Sequence, residues 1–325
     1  MEILGLAFLA VLIGLTGLVW GANRFVTGSA AAAHNFGISP IVIGLTVVSM
    51  GTSAPEIIVS INAAINNSGE IGIGNAIGSN LANIGLVLGV TALICPIPFS
   101  QYLLKTEGLA LLVATILAGA FLFDGNLTHV EGLILLFATL PILTFIFYRK
   151  KNKSNTEIIA LSISTSSITT KRALKFFLTG LVVLLISSDL LVWGAIKFAD
   201  FFGVSQLIIG LTVVAIGTSL PELAASVSSA IKGHHDIAIG TIFGSNLFNL
   251  LIVMALPGII SPLALDKEVF YRDYLSMSLL TLTLIIIIAS VSWLGKKRGH
   301  QATISKNLGL LLLLLYTLYY ALLIY

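Results

Sequence analysis

Long, uninterrupted apolar runs are the feature that most constrains what this 325-residue chain can fold into. A helix that spans a bilayer needs about 20 predominantly apolar residues. Hydrophobic residues make up 57% of the chain and charged residues only 10%, whereas a soluble domain carries about 25% charged residues. These values exclude a soluble enzyme, a disordered protein and a nucleic-acid-binding protein. They predict an all-α polytopic membrane protein with ten spans, at 3–22, 38–65, 71–95, 106–124, 130–148, 176–198, 204–231, 237–260, 275–294 and 308–325.

The distribution of lysine and arginine predicts how these spans are oriented. Basic residues concentrate in the cytoplasmic connections of membrane proteins. With ten spans, 14 of the 17 Lys and Arg residues fall on one side, and seven of them lie within the connection 149–175. That side is therefore predicted to be cytoplasmic, which places both termini outside. The short connections favour a prokaryotic inner (plasma) membrane, with lipid as the surrounding partner.

The chain also contains an internal repeat. Shifted by 166 residues, segment 14–89 aligns with 180–255 without a gap, and 32 of the 76 positions are identical. A Gly-Thr-Ser-x-Pro-Glu motif recurs at 51–56 and 217–222, and a Gly-Ser-Asn-x-x-Asn motif at 78–83 and 244–249. Five spans per copy is an odd number, so the second copy must cross the membrane in the opposite sense.

The predicted organisation is a first five-helix repeat at 1–148, a cytoplasmic linker at 149–175 and a second, inverted five-helix repeat at 176–325. Inverted repeats are typical of secondary transporters, whose substrate sites lie at the repeat interface near the bilayer midplane.

Both motifs place oxygen ligands inside apolar spans. Glu56 and Glu222 each follow a proline, and a central charged residue costs about 2.5–3.5 kcal/mol on the insertion scale. Because proline lacks an N–H, the carbonyls of Gly51 and Gly217 lose their helical partners and need others, such as a cation. The hydroxyls and amides that accompany the carboxylates are those of Thr52, Ser53, Ser79 and Asn83 in the first copy and Thr218, Ser219, Ser245 and Asn249 in the second.

This donor set contains oxygen atoms and neither cysteine nor histidine. Hard cations such as Ca²⁺ and Na⁺ prefer oxygen ligands, whereas Zn²⁺ and Cu²⁺ prefer nitrogen or sulfur. Two carboxylates neutralise one Ca²⁺ or two Na⁺. Competition between two such ions for one site produces antiport directly.

The paired motifs resemble the signature repeats of the sodium/calcium exchanger family, within the calcium/cation antiporters, and the similarity extends over essentially the whole chain. The resemblance implies exchange of Na⁺ for Ca²⁺ by alternating access, with Glu56 and Glu222 as the central ligands. It implies that the accompanying hydroxyls and amides surround the ion, and that backbone carbonyls at Ser49 and Ala215 contribute. Some members carry Asp where this chain has Asn249, so this site has two carboxylates. We expect transported ions rather than a cofactor, no enzymatic activity and a monomeric functional unit.

Several other functions are compatible with the same residues. Coupling to H⁺ is the nearest, since buried glutamates can carry protons. Proton-coupled relatives typically carry Asn in place of Thr52 and Thr218, however, which favours Na⁺. A K⁺ requirement stays open. An intramembrane hydrolase would need its two carboxylates in dissimilar settings, and a cation channel would conduct without a counter-ion.

Two further features carry weaker expectations. Asp189, aligned with Asn23, is an intramembrane carboxylate and a functional candidate by default; a position beside a water-filled crevice is favoured over direct ion ligation. Gly17-x-x-x-Gly21 fits a close helix-packing motif, which we expect to pack inside the protein.

Overall fold

The computed structural model describes residues 2–100, 102–151, 168–202, 215–298 and 301–324. Within them, seven helices are long and apolar enough to span a bilayer, and one bent pair of helices gives an eighth candidate. A shorter apolar helix, Lys306–Ala321, coincides with the last predicted span. Most of the predicted linker and the start of the seventh predicted span lie outside the described residues. The all-α architecture is confirmed, and the count of ten spans stays a prediction.

The helices are numbered in chain order, with π-helical turns named separately. They are α1 (Glu2–Phe36), α2 (Pro40–Ile43), π1 (Gly44–Val48), α3 (Ser49–Thr52), α4 (Ala54–Ile65), α5 (Gly69–Ala82), π2 (Asn83–Leu88), α6 (Gly89–Ile94), a 3₁₀ turn (Leu103–Lys105), α7 (Glu107–Leu122), α8 (His129–Lys151), α9 (Thr170–Phe201), α10 (Ala215–Thr218), α11 (Leu220–Ile231), α12 (His235–Phe248), π3 (Asn249–Val253), α13 (Ala255–Ile260), π4 (Val269–Tyr274), α14 (Leu275–Arg298) and α15 (Lys306–Ile324).

The first predicted span is shorter than the helix that the structure contains. The apolar run ends near residue 22, but α1 continues to Phe36. Residues 29–33 read Ser-Ala-Ala-Ala-Ala, and alanine has the highest helix propensity of all residues. The helix therefore continues after the hydropathy falls.

Helices α1 and α9 pack antiparallel at very short range. A β-carbon added at Gly28 would collide with the backbone of Phe177, and one at Gly180 would collide with the backbone of Phe25. Gly17 likewise faces α9, so this glycine packs inside the protein as expected. Small residues let two helix backbones approach closely in a membrane. The close-packed positions recur every seven residues, at Gly14, Gly21 and Gly28 on α1 and at Gly180, Ser187 and Gly194 on α9.

The helix that carries Glu56 is broken at the motif, as the proline predicts. The segment Pro40–Thr52 ends there, and α4 restarts at Ala54 with a bend of 46°. Ser53, between them, has φ −81° and ψ 11°, and Ser219 in the second copy has φ −87° and ψ 3°. Each proline lies in the first turn of the new helix, where a missing N–H is tolerated.

The two helices that carry the Gly-Ser-Asn-x-x-Asn motif lie at the centre of the molecule. In the most apolar window of 235–260, 94% of residues are buried, and in that of 69–94 the figure is 72%. The corresponding windows of α1, α8 and α9 are 22–28% buried. Two helices are thus largely enclosed by the others, whereas α1, α8 and α9 lie at the periphery.

Two short strand pairs link distant parts of the chain. β1 (Ile97–Pro98) pairs antiparallel with β4 (Thr303–Ile304), and β2 (Asn126–Leu127) with β3 (Leu263–Ala264). β1 and β3 are related by the 166-residue shift, and each pairs with a connection in the other half of the chain. The two halves are therefore interlocked as well as packed together. The sequence did not predict these two-residue strands.

Candidate cation-binding site

The two predicted glutamates lie at the centre of the fold and are completely buried. Ser53 Oγ donates a hydrogen bond to Glu222 Oε1 at 2.9 Å, and Ser245 Oγ donates to the same atom at 3.2 Å. Ser79 Oγ donates to Glu56 Oε1 at 3.4 Å. One oxygen of each carboxylate is therefore held by serine hydroxyls of the two motifs.

The contacts cross between the two halves of the chain. Ser53 and Glu222 are 169 positions apart. Thr52 also contacts the carboxylate of Glu222, and Thr218 contacts that of Glu56. Each glutamate thus interacts with hydroxyls of the opposite copy of its own motif. The two copies of the Gly-Thr-Ser-x-Pro-Glu motif are therefore in contact with each other.

Several polar atoms of the predicted ligands are buried without a hydrogen-bond partner among the described residues. An unpaired buried polar group costs about 1–3 kcal/mol, and a bound ion or ordered water is a common explanation for such a group. The atoms are Oε2 of Glu56 and Glu222, Oγ of Ser219, and both Oδ1 and Nδ2 of Asn83 and Asn249.

The two asparagines occupy equivalent and unusual backbone positions. Asn83 is the first residue of π2, and Asn249 is the first residue of π3. Single π-helical turns inside α-helices occur frequently at functional sites. Both turns were missed from the sequence, because these segments have the ordinary composition of an apolar helix.

The predicted backbone ligands differ between the two copies. The Ser49 carbonyl accepts hydrogen bonds from the Ser53 N–H at 2.9 Å and from Thr52 Oγ1 at 3.2 Å. In the second copy, the Ser219 N–H bonds instead to the carbonyl of Ile216 at 3.1 Å. Ala215 is the first described residue of its helix. The role of the Ser49 and Ala215 carbonyls as ligands stays a prediction.

The carbonyls left without a helical N–H by the prolines also differ. Gly217 O accepts a hydrogen bond from Ser188 Oγ of α9 at 2.9 Å. The position on α1 that corresponds to Ser188 is Ala22, which has no hydroxyl to offer Gly51. The broken helix that contains Gly217 is therefore hydrogen-bonded to α9 through Ser188. Ala22 cannot form the equivalent bond to the broken helix that contains Gly51.

The side chains gathered here have the chemistry that suits a hard cation. It combines two carboxylates with hydroxyl and amide oxygens, which is the ligand type that Ca²⁺ and Na⁺ prefer. In the part of the chain that the structure describes, no three or more His, Cys, Asp or Glu side chains cluster as a metal site. The neutral oxygens must therefore supply most of any coordination shell.

Comparisons with known proteins agree with this geometry. Residues 6–148 and 172–325 match the family described as "Sodium/calcium exchanger protein". The CaxA protein of Alkalimonas amylolytica is 42% identical over 86% of this chain and 89% of its own length. The sodium/calcium exchanger MaX1 of Methanosarcina acetivorans is 32% identical over 88% of this chain and 92% of its own length.

A solved structure gives the same result at the level of fold. The sodium-calcium exchanger NCX_Mj, soaked with Na⁺ and Sr²⁺, aligns with a TM-score of 0.81 and 32% identity, covering 97% of this chain and 98% of its own. The match to the family covers both copies of the repeat. This chain belongs to the sodium/calcium exchanger family of integral membrane cation transporters.

Proposed function

We propose that this chain exchanges Na⁺ for Ca²⁺ by alternating access at the site formed by Glu56 and Glu222. The observation that carries the proposal is the pair of fully buried carboxylates, each with one oxygen bound by serine and the other without a hydrogen-bond partner among the described residues. Such an oxygen is available to a cation. The names of related exchangers support the choice of ions.

The proposed coupling follows from charge and ligand count. Two carboxylates balance one Ca²⁺ or two Na⁺, and a third Na⁺ would make the loaded site positive and exchange electrogenic. Ca²⁺ takes about 6–8 oxygen ligands in flexible geometry. The unpaired oxygen atoms of Asn83, Asn249 and Ser219 would supply neutral ligands beyond the two carboxylates. Because the same oxygens would serve both ions, Na⁺ and Ca²⁺ exclude each other.

The proposed topology has ten spans in two inverted five-helix repeats, 1–148 and 176–325, joined by a cytoplasmic linker at 149–175. Both termini then lie outside a prokaryotic inner membrane. Labelling with a membrane-impermeant maleimide tests this arrangement in a chain whose native thiol is removed by Cys95→Ser. A cysteine introduced by Ser164→Cys should react only in inverted vesicles, and one introduced by Asp124→Cys only in right-side-out cells. The reverse pattern would overturn the orientation.

The transport test is uptake of ⁴⁵Ca²⁺ into proteoliposomes loaded with Na⁺ and diluted into Na⁺-free buffer. We expect uptake that requires internal Na⁺ and is lost in Glu56→Gln. The matched control is Glu107→Gln, which neutralises another completely buried glutamate at the start of α7, outside both motifs. This control separates loss of a ligand from the general effect of altering a buried carboxylate.

The other couplings give different results in the same assay. Uptake driven by a pH gradient without Na⁺ would replace Na⁺ by H⁺ as the counter-ion. Uptake that needs Na⁺ and K⁺ together would identify a K⁺-dependent exchanger. Ca²⁺ flux without any counter-ion would indicate a channel, and no Ca²⁺ movement under any gradient would overturn the proposal.

A further inference from the structure

We propose that Asp189 forms a second cation-binding station, in a crevice that leads to the Glu56–Glu222 site. The proposal rests on the proposed function, because a station of this kind has a purpose only if cations move through the protein. It concerns a carboxylate that neither repeated motif contains. Its ligand would be a partly hydrated cation, with Ca²⁺ held more strongly than Na⁺ because of its charge.

The position of Asp189 is unusual for a charged residue. It lies within the candidate span Thr170–Phe198 and its side chain is exposed in the absence of a bilayer. A carboxylate in contact with hydrocarbon is strongly disfavoured, and intramembrane acidic residues normally face a water-filled cavity or an ion pathway. The structure has a cavity at this position, and Asp189 lines it.

The cavity has a volume of about 260 Å³ and lies between α9 and the two broken helices. At about 30 Å³ per molecule in the liquid, it has room for about eight waters. Asp189 and Ser188 line one wall, Pro55 lies on the α4 side, and Gly217 and Thr218 lie at its α10 side. It is therefore wide enough for a cation that keeps part of its hydration shell.

The crevice leads to the central site through Thr218. This residue lines the cavity and also contacts the carboxylate of Glu56. Pro55, on another wall, directly precedes Glu56 in the chain. An ion held by Asp189 is thus separated from the proposed transport site by little more than one residue.

The charge of Asp189 is not neutralised by the cavity wall. Its other lining residues are alanine, proline, isoleucine, valine, leucine, serine, glycine and threonine, and none of them is basic. No salt bridge or hydrogen bond to the Asp189 side chain is present among the described residues. A crevice of one charge sign with low-dielectric walls concentrates the opposite ion and raises its rate of binding by about 10- to 1,000-fold.

The corresponding position in the other half of the molecule does not have these properties. Asn23 is neutral, and Lys232 and Ser228 occupy the space beside it with hydrogen bonds to its backbone and side chain. The negative crevice is therefore not a general consequence of the repeat. It arises at one of the two equivalent positions.

The first experiment measures the initial rate of exchange as a function of Ca²⁺ concentration. The Ca²⁺ is added on the side of the membrane to which the Asp189 crevice opens. We expect Asp189→Asn to raise the KM for Ca²⁺ by about 3- to 10-fold and leave kcat within about twofold, since the charge aids capture rather than central ligation. Asp189→Glu should restore the KM. The matched control is Asp266→Asn, which removes an exposed carboxylate from the loop after β3 and should change nothing. An unchanged KM in Asp189→Asn would overturn the proposal.

The second experiment detects the ion directly and does not depend on transport. Trp193 is four residues after Asp189 on α9, so the two side chains share a helix face. Tb³⁺, which replaces Ca²⁺ at oxygen sites, should show luminescence excited through Trp193 even in the double variant Glu56→Gln, Glu222→Gln. Adding Asp189→Asn to that variant should abolish the signal, and Trp193→Phe should remove it without removing the ion.

The outcomes separate this inference from the proposed function. Tb³⁺ emission that requires Asp189, in a protein that fails to exchange Na⁺ for Ca²⁺, would support the station and contradict the exchange reaction. Normal exchange with Tb³⁺ emission indifferent to Asp189→Asn would contradict the station and leave the exchange reaction standing.

Discussion

Two positions related by the internal repeat, Asn23 on α1 and Asp189 on α9, are both exposed but have different neighbours. Beside Asn23, side chains at the end of α11 form hydrogen bonds to α1. Lys232 Nζ donates to the Asn23 carbonyl at 2.5 Å and to Thr27 Oγ1 at 2.8 Å, and Ser228 Oγ donates to Asn23 Oδ1 at 3.2 Å. These bonds fasten the end of α11 to α1.

Around Asp189 the elements that are equivalent by the repeat border a crevice instead. The residue that corresponds to Lys232 is Asn66, which donates to the carbonyl of Asn62 in its own helix at 2.8 Å rather than reaching α9. The two halves share their motifs but differ in these few side chains. Under the proposed alternating access, one face is closed in a single end state, and we expect the latch formed by Lys232 to stabilise the closed face.

The packing of α1 against α9 makes these two helices one tight pair. Both helices present small residues every seventh position, and their backbones are in contact there. Small residues at such a contact let two helices pack closely in a membrane. We therefore expect any displacement of one helix to be shared by the other.

The largest effect is expected from Glu222→Gln, because the central site serves both faces. Glu222 accepts hydrogen bonds from serines of both halves and supplies half of the negative charge of the site. Exchange should fall by more than about 100-fold, since loss of even an outer-shell partner costs about 10- to 100-fold. Ca²⁺ flux measured from either side of the membrane should fall equally. A loss confined to one side would break the idea of a shared site.

The second effect is expected from Gly28→Val, which places a side chain where α1 meets the backbone of α9. Overpacking of this kind costs about 1–3 kcal/mol, and it should lower both the Tm in detergent and the exchange rate. The matched control is Gly5→Val on the same helix, where a β-carbon meets no atom within 4 Å among the described residues. Equal losses in the two variants would contradict a special role for the close contact.

The third effect is expected from Lys232→Met, which keeps the length of the side chain and removes its ammonium group. Loss of the latch should destabilise the closed face by about 1–1.5 kcal/mol, which is about a 5- to 13-fold change in the population of the two faces. In a Cys95→Ser chain, a buried thiol introduced by Ala31→Cys should then react faster with maleimide. Lys267→Met, which removes an exposed charge, is the control. An unchanged labelling rate in Lys232→Met would show that the latch does not hold the face closed.

The smallest effect is expected from Asn23→Asp, which gives the closed face the same carboxylate as the open one. The new charge would lie beside Lys232, and a partly exposed ion pair contributes about 0.5–1 kcal/mol. Labelling of Ala31→Cys should slow by about 2- to 5-fold. Faster labelling would instead indicate that a carboxylate opens the crevice that contains it. The difference between the two faces would then depend on Asp189 rather than on Lys232.

Much of the fold and of the site was predictable because the relevant signals are local. Hydropathy located most of the helices, and proline located the break beside Glu56. Hydropathy failed where a helix continues beyond its apolar run, as α1 does in its alanine-rich end. Local signals also failed at the π-helical turns that begin at Asn83 and Asn249, which no local pattern distinguished from an ordinary helix.

The sequence by itself determined which groups the chain would have to bury together. Two carboxylates inside apolar runs need partners. The same hydroxyl and amide residues recur around each of them, which indicated which side chains those partners are. Only the tertiary structure decided that Ser53 bonds to Glu222 rather than to Glu56, which is nearer in the sequence. It also decided that Asp189 lines a crevice whereas Asn23 is hydrogen-bonded to Ser228 and Lys232. The reason is physical: covalent spacing sets which side chains share a helix face, whereas contacts between residues more than 160 positions apart depend on how whole helices pack.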